Sequence, residues 1–294
     1  MHFDFIGRSK LWLTLSALVI LAGLVGFVVN GGLNLGLDFK GGTLLQLQFT
    51  KPVSVDQVRT TLAAYGLGSS GIQLSGENTV IIRTHSLPDQ ERQNLLAGLK
   101  TKLGDYKVLR AENIGAVMSE ELRNNAFLAV VISCVLMLIY ITLRFEFKFA
   151  VAGILALVHD VLITVGLFAL FRVEVDSTFV AAILTILGYS INDTIVVFDR
   201  IREHLKARRK GTLAELVNSS INETLARSIN TVLTTLFSVI ALLLFGGETT
   251  KVFALALFIG LISGAYSSIF IASPIWYLWR QAELDRRVPA VGKS

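Results

Sequence analysis

The sequence predicts a polytopic α-helical membrane protein: six transmembrane helices with one α+β, ferredoxin-like extracytoplasmic domain. Three observations predict it. Of 294 residues, 53% are hydrophobic and only 17% are charged, against about 25% in an average soluble chain, and mean hydropathy is +0.62. The charges are clumped, which leaves six apolar stretches near the roughly 20 residues that a helix needs to cross a hydrocarbon core. Between the first and second stretch lies an insertion of 95 residues, 30–124, with 10 basic and 9 acidic side chains. This composition excludes disorder and argues against a soluble globular enzyme.

The six stretches run approximately Leu11–Val29, Ala126–Leu143, Phe149–Phe171, Ser177–Phe198, Ser228–Gly247 and Val252–Trp279. Four contain no Asp, Glu, His, Lys or Arg; the third holds His159 and Asp160, and the fourth holds Asp193. The first has Arg8 and Lys10 before it, as a signal peptide would. Its apolar core exceeds the usual 7–15 residues, and Asn30-Gly31-Gly32 is not a cleavage site, so an uncleaved anchor is expected. Residues 1–29 thus form a short N-terminus and the first span, 125–279 the other five spans, and 280–294 a tail. In the last span, Pro274 and the Trp276/Tyr277/Trp279 cluster suit an end at the membrane interface.

The insertion reads as βαββαβ. Leu45, Leu47 and Phe49 alternate with Gln46 and Gln48, the strand period. Val55, Val58, Leu62 and Tyr65 follow helical spacing, with Ser54 as N-cap. Ile72–Leu74 and Val80–Thr84 flank the turn Gly76-Glu77-Asn78. Leu95, Leu96, Leu99 and Leu103 make a second helical stripe after Pro88, and Val108–Glu112 a last strand. That order suggests an antiparallel sheet with helices on one face.

Six spans place both termini on one side. That side carries 15 of the 27 Lys+Arg residues in about 60 positions, so the positive-inside rule puts both termini in the cytoplasm. The net charge of +5 then reports orientation and implies no nucleic-acid partner. Lys206, Arg208, Arg209 and Lys210 form the densest cluster, read as a topology determinant. Thr212-x-x-Glu215 reads as a capping box. Leu213, Leu216, Val217, Ile221 and Leu225 then give the cytoplasmic segment 204–227 an apolar stripe, expected to lie on membrane lipids.

A charge at the bilayer centre costs about 2.5–3.5 kcal/mol on insertion scales, so Asp160 and Asp193 call for a reason. Tyr189 and Ser190 lie four and three residues before Asp193, on its helix face. Apolar surroundings favour a neutral carboxyl. Two readings of Asp193 stay open: a group that loads and releases protons, and a structural acid that ties helices together. In span five, Arg227 begins a polar stripe continued by Asn230, Thr231, Thr234 and Thr235; it can point inward to Asp193 or snorkel to the headgroups. Asp160 follows His159, but neighbours on a helix diverge by about 100°, so a shared proton path is not implied. In span six, Gly260, Gly264, Ser267 and Ser268 are small residues at spacings that let helices approach closely. One cysteine, Cys134, and four histidines support neither a disulfide nor a metal site. Neither a phosphate-binding loop nor a G-x-S-x-G elbow nor H-E-x-x-H is present, so no catalytic residues are assigned and no enzyme activity is expected.

These residues carry a resemblance. Gly36-Leu37-Asp38-Phe39-Lys40-Gly41-Gly42-Thr43, opening the insertion, resembles the G-x-D-F-x-G-G-T motif of the SecF family, whose members are subunits of the bacterial SecDF protein-export complex in the RND superfamily. Val158-His159-Asp160-Val161 is similar to that family's H-D motif, and Gly188–Glu203 (GYSINDTIVVFDRIRE) to its span-four signature. Arg227–Thr235 and Gly264–Ser268 are similar to the starts of its spans five and six, with Ala265 where Thr is frequent. The resemblance implies an accessory subunit of the Sec translocase in the inner membrane. With SecD it would use the proton motive force to promote later stages of export of an unfolded polypeptide. The SecYEG channel and YajC are the further partners implied, and protons are the coupling ion with no other cofactor. Asp193 and Arg227 match the family's functional Asp and Arg. Three other readings are open to these residues: an RND-type small-molecule or lipid transporter, a passive membrane scaffold, and an intramembrane aspartyl protease, whose G-x-G-D is absent from the residues before Asp193.

Overall fold

The computed structural model describes residues 3–207 and 211–287, so Arg208, Arg209 and Lys210 of the basic cluster lie outside the described residues. It has six helical runs long and apolar enough to cross a membrane, and it divides into two compact units: residues 3–34 with 127–287, and Leu35–Ala126.

The helical unit begins with α1, Ser9–Val29. It packs along α6, Phe147–Leu170, and the contact is backbone on backbone: a Cβ added to Gly23 would sit 2.6 Å from Gly166 Cα, and one on Gly26 2.7 Å from Leu170 Cα. Asn30 Nδ2 donates to the Ala169 carbonyl at 2.9 Å and so satisfies the end of α6. The long helix α5, Ala116–Arg144, leaves most of its apolar residues exposed. After the two-residue strand β6, Glu174–Val175, Asp176 caps α7, Ser177–Lys206, by accepting from the Phe179 N–H.

Helix α8, Leu213–Phe245, opens with the Thr212/Glu215 capping box. Its 33 residues span roughly 50 Å, against about 30 Å of hydrocarbon. It is one helix with no break near Arg227. The expected surface segment is therefore corrected: Val217 and Ile221 are fully buried in a cluster with Phe5, Ile6, Phe198, Ile201 and Trp276. Periodicity shows that a face is apolar, not whether lipid or protein covers it. The N-terminal turn is held there by Asn218 Oδ1, which accepts from the Phe5 and Ile6 N–H groups.

The last run comprises α9 (Glu248–Ser267), a π segment (Ser268–Ala272) and α10 (Ser273–Arg287). Pro274 explains the π segment: it has no N–H for the carbonyl one turn back, and its ring crowds that carbonyl. Ser273 Oγ donates to the Ser268 carbonyl at 3.0 Å across the same segment. Within the Trp276/Tyr277/Trp279 cluster, Trp276 is 1% exposed and stacks on Phe149 at 4.5 Å between ring centroids, while Trp279 is 39% exposed.

In the second unit the short helix α2 (Leu37–Lys40) leads into β2 (Gly42–Phe49), α3 (Val55–Ala63), β3 (Gly71–Ser75), β4 (Thr79–Thr84), α4 (Asp89–Leu103) and β5 (Tyr106–Ile114). Before α2, Asn34–Leu35 forms the two-residue strand β1. The sheet order is β3-β4-β2-β5, all antiparallel, which is the ferredoxin-like arrangement expected. Leu45, Leu47, Phe49, Val58, Leu62, Val80, Ile82, Leu95 and Leu99 form its core, each side chain contributing about 1.5–3 kcal/mol of burial. Ser54 and Gln57 make a reciprocal capping box at the start of α3.

Candidate functional site

The motif opening the insertion proves architectural. Phe39 is buried, Gly41 (φ 73°) ends α2, and Gly42 (φ 131°) starts β2, where a Cβ would meet the Thr84 carbonyl oxygen at 2.3 Å. Only glycine takes that conformation without strain. The next residue, buried Thr43, donates to Asn113 Oδ1 at 3.0 Å and accepts from the Leu87 N–H at 2.9 Å. Asp38 sits within α2.

The chemistry-bearing residues lie in the helical unit, where helices approach closely. A Cβ on Gly264 would stand 2.9 Å from Ser190 Cβ, and one on Gly260 2.2 Å from Ile186 Cδ1. These two glycines set α9 against α7, the packing role expected of them. Ser267 and Ser268 do more than pack: their hydroxyls reach two different carboxylates.

Asp193, midway along α7, accepts from Ser228 Oγ of α8 on one oxygen and from Ser268 Oγ of the π segment on the other. A cavity of about 100 Å³ opens beside it, lined by Tyr189, Asn192, Asp193, Val196, Arg227, Thr231 and Val232, room for a few waters. Tyr189 hydrogen-bonds Thr235 across the helices, and Thr231 Oγ1 donates to the Arg227 carbonyl at 2.9 Å. Arg227 lines the same cavity but forms no ion pair with Asp193 among the described residues. Thus Tyr189, Asp193, Arg227 and Thr231 come together. Ser190 shares a smaller gap with Tyr189 and Asp193, beside Gly260 and Gly264, but gives its hydroxyl to Asp160, and Asn230 is exposed outside the cavity lining.

Asp160 of α6 belongs to a separate network. It is fully buried; Oδ1 accepts from Ser263 Oγ at 2.6 Å and faces His159 Nδ1 at 3.0 Å, while Oδ2 accepts from Ser190 Oγ at 2.6 Å and Ser267 Oγ at 2.7 Å. The His159 ring also stacks near Tyr266. Sequence reasoning paired Ser190 with Asp193 and passed over Ser228 and Ser263. The available signal was a serine beside Arg227 and the Ser263/Ser267 pair one turn apart. At the membrane end of the bundle, Arg200 of α7 pairs with Glu203 and with Glu223 of α8, and Lys148 pairs with Glu283. No group of three or more potential metal ligands occurs among the described residues.

Six spanning helices, a ferredoxin-like insertion and two serine-bound carboxylates within the spans define a multi-pass membrane protein with ionisable groups at its core. Residues 95–282 match the family "Protein export membrane protein SecD/SecF, C-terminal", and residues 26–53 match "SecD/SecF GG Motif". The chain is 45% identical to the SecF translocase subunit of Acidaminococcus fermentans, covering 95% of this chain and 98% of that one. It is 44% identical to SecF of Sebaldella termitidis, covering 91% and 89%. The crystal structure of Thermus thermophilus SecDF, described as a translocon-associated membrane protein, superposes with a TM-score of 0.86 at 38% identity over 96% of this chain and 39% of that longer one. The chain belongs to the SecF family of protein translocase subunits.

Proposed function

We propose that this subunit works with SecD in the inner membrane, using the proton motive force to promote later stages of protein export. Both termini are placed in the cytoplasm, and the wider assembly includes the SecYEG channel, YajC and the moving unfolded polypeptide. The observation that carries this reading is Asp193: a carboxyl group within a span, beside a small polar cavity with Arg227, bonded to serines of two other helical segments.

The chemistry follows from hydrogen-bond inventory. An ionised carboxylate only accepts, so both serines donate to it; once protonated it must donate one bond itself, and one serine has to turn or withdraw. Protonation thereby favours a different seating of α8 and the π segment against α7, and a ligand that binds two packings unequally shifts their populations. Each charge moved across 100 mV supplies about 2.3 kcal/mol. The motion reaches Leu35–Ala126 along its two covalent connections, the chain after α1 and the start of α5. No bond of a substrate is made or broken, and the proton is the only coupling species.

The partner reading has support in the surface. Thr185, Gly188 and Asn192 of α7 and Arg227, Asn230 and Thr234 of α8 are exposed within the spans, and polar groups facing hydrocarbon are unfavourable. A second helical unit would cover them. A 41% identical SecDF chain of Bacillus subtilis, of which this chain matches 39%, carries both names in one polypeptide. The test is Asp193→Asn in the SecD-bound complex. It is expected to abolish proton-dependent stimulation of export while SecD still co-purifies; unchanged stimulation overturns the proposal.

A further inference from the structure

We infer that Asp160 is a positioning residue that remains an anion throughout the cycle, clamping α6, α7 and α9 into one block and setting, through Ser267, the hydroxyl that Ser268 offers to Asp193. The inference deepens the reading of Asp193 as proton carrier and rests on it for the second half.

The first half is an accounting of donors. A carboxylate has about four acceptor sites. Ser263 Oγ and His159 Nδ1 stand on Oδ1, Ser190 Oγ and Ser267 Oγ on Oδ2; the histidine tautomer with its proton on Nδ1, which leaves the buried, unpartnered Nε2 as a bare acceptor and not as an orphaned N–H, makes all four of them donors. The carboxyl is fully buried, away from the cavity that borders Asp193. A proton on either oxygen would point at a group already donating. Asp193 differs on each count. It receives one hydroxyl per oxygen, is partly exposed, and borders a cavity. The groups facing Asp160 are His159 on its own helix, Ser190 on α7, and Ser263 and Ser267 on α9; Tyr266 of α9 lies against the His159 ring. No Lys, Arg or Glu faces it among the described residues.

The second half follows from chain geometry. Ser267 ends α9 and Ser268 begins the π segment. Consecutive residues of a helix point about 100° apart, and these two answer different acids from adjacent Cα atoms. Moving Ser267 therefore moves the Ser268 hydroxyl. Asp193, in contrast, joins α7 to α8 and to the π segment. One carboxylate holds a fixed three-helix block; the other is the switchable tie between that block and α8.

The test is pH-difference infrared spectroscopy of the SecD-bound complex in lipid vesicles, over the near-neutral range where water-exposed carboxylates do not titrate. The expected result is a protonated-carboxyl C=O band that Asp193→Asn removes and Asp160→Asn retains. A protonated-carboxyl band lost in Asp160→Asn, whether it titrates or persists at every pH in the absolute spectrum, overturns the inference. A spectrum in which neither variant removes a band upholds the fixed anion but defeats the carrier reading of Asp193. Since Asp160→Asn can fail to fold, Ser267→Ala gives the second readout. It removes a hydroxyl that touches Asp160 and not Asp193, and should shift the midpoint of the Asp193 band; Ser267→Thr should restore it. An unmoved midpoint in a folded Ser267→Ala complex overturns the positioning role, because a purely structural loss would lower yield and leave the midpoint alone.

Discussion

Gly23→Ala offers a test of the α1–α6 contact that involves no titrating group. The new Cβ would lie 2.6 Å from Gly166 Cα and 3.0 Å from Gly166 C. Carbon atoms in good contact sit about 3.5–4.0 Å apart, so the helices must part by roughly 1 Å, and no side chain is present to move aside. Overpacking of this kind costs about 1–3 kcal/mol. Against it, alanine gains about 0.8–1.0 kcal/mol over glycine in a helix interior. The net is about 0–2 kcal/mol of destabilisation against the parent protein, and about 1–3 kcal/mol against a glycine-to-alanine change that gains the propensity without the clash. The assay is detergent-titrated unfolding of the purified protein followed by tryptophan fluorescence, with Trp12 on α1 itself as reporter, its ring 4.5 Å from Phe270. Gly188→Ala is the internal control: nothing in this chain lies within 4 Å of its Cβ position, so only the propensity gain applies. A Gly23→Ala protein as stable as the Gly188→Ala protein would refute the backbone-to-backbone contact.

Other outcomes are expected. Replacing Gly188 by Leu leaves the isolated subunit folded but lowers co-purification of SecD severalfold, since it adds bulk to the exposed polar stripe of α7; undiminished recovery places the partner elsewhere. Thr43→Val leaves the Leu87 N–H without its partner and removes one of the two donors to Asn113 Oδ1, Ser86 Oγ remaining, and destabilises the Leu35–Ala126 unit by about 1–3 kcal/mol, read as faster proteolysis within that unit. Burial pushes the Tyr106 phenol above its usual range, and its hydroxyl donates to the Leu96 carbonyl at 2.7 Å. A raised folded value means that this contribution is complete below the unfolded value of about 10 and is lost as pH rises through the folded one. Ultraviolet titration should therefore show a late tyrosine component that is lost in Tyr106→Phe.

Much of this protein was legible in its sequence because the signals are local. Runs of apolar residues announced six spans, since a bilayer demands length and low charge from each segment alone. Period-two and period-3.6 patterns gave the βαββαβ order, and Ser54 and Thr212 marked helix starts because a cap is satisfied within its own turn. Asp160 and Asp193 stood out for the same reason: an acid within a span is conspicuous wherever its neighbours turn out to be.

Only the tertiary structure decided what answers each acid. Ser190 shares a helix face with Asp193 yet bonds Asp160 of α6, with Gly264 of α9 packed against its Cβ. Ser267 and Ser268 divide between two carboxylates because consecutive residues of a helix point about 100° apart and the last span passes between Asp160 and Asp193. The stripe of Val217 and Ile221 meets Phe5 and Phe198, and Trp276 meets Phe149. Those outcomes depend on the rotation and spacing of helices far apart in the chain, which no single helix's periodicity contains.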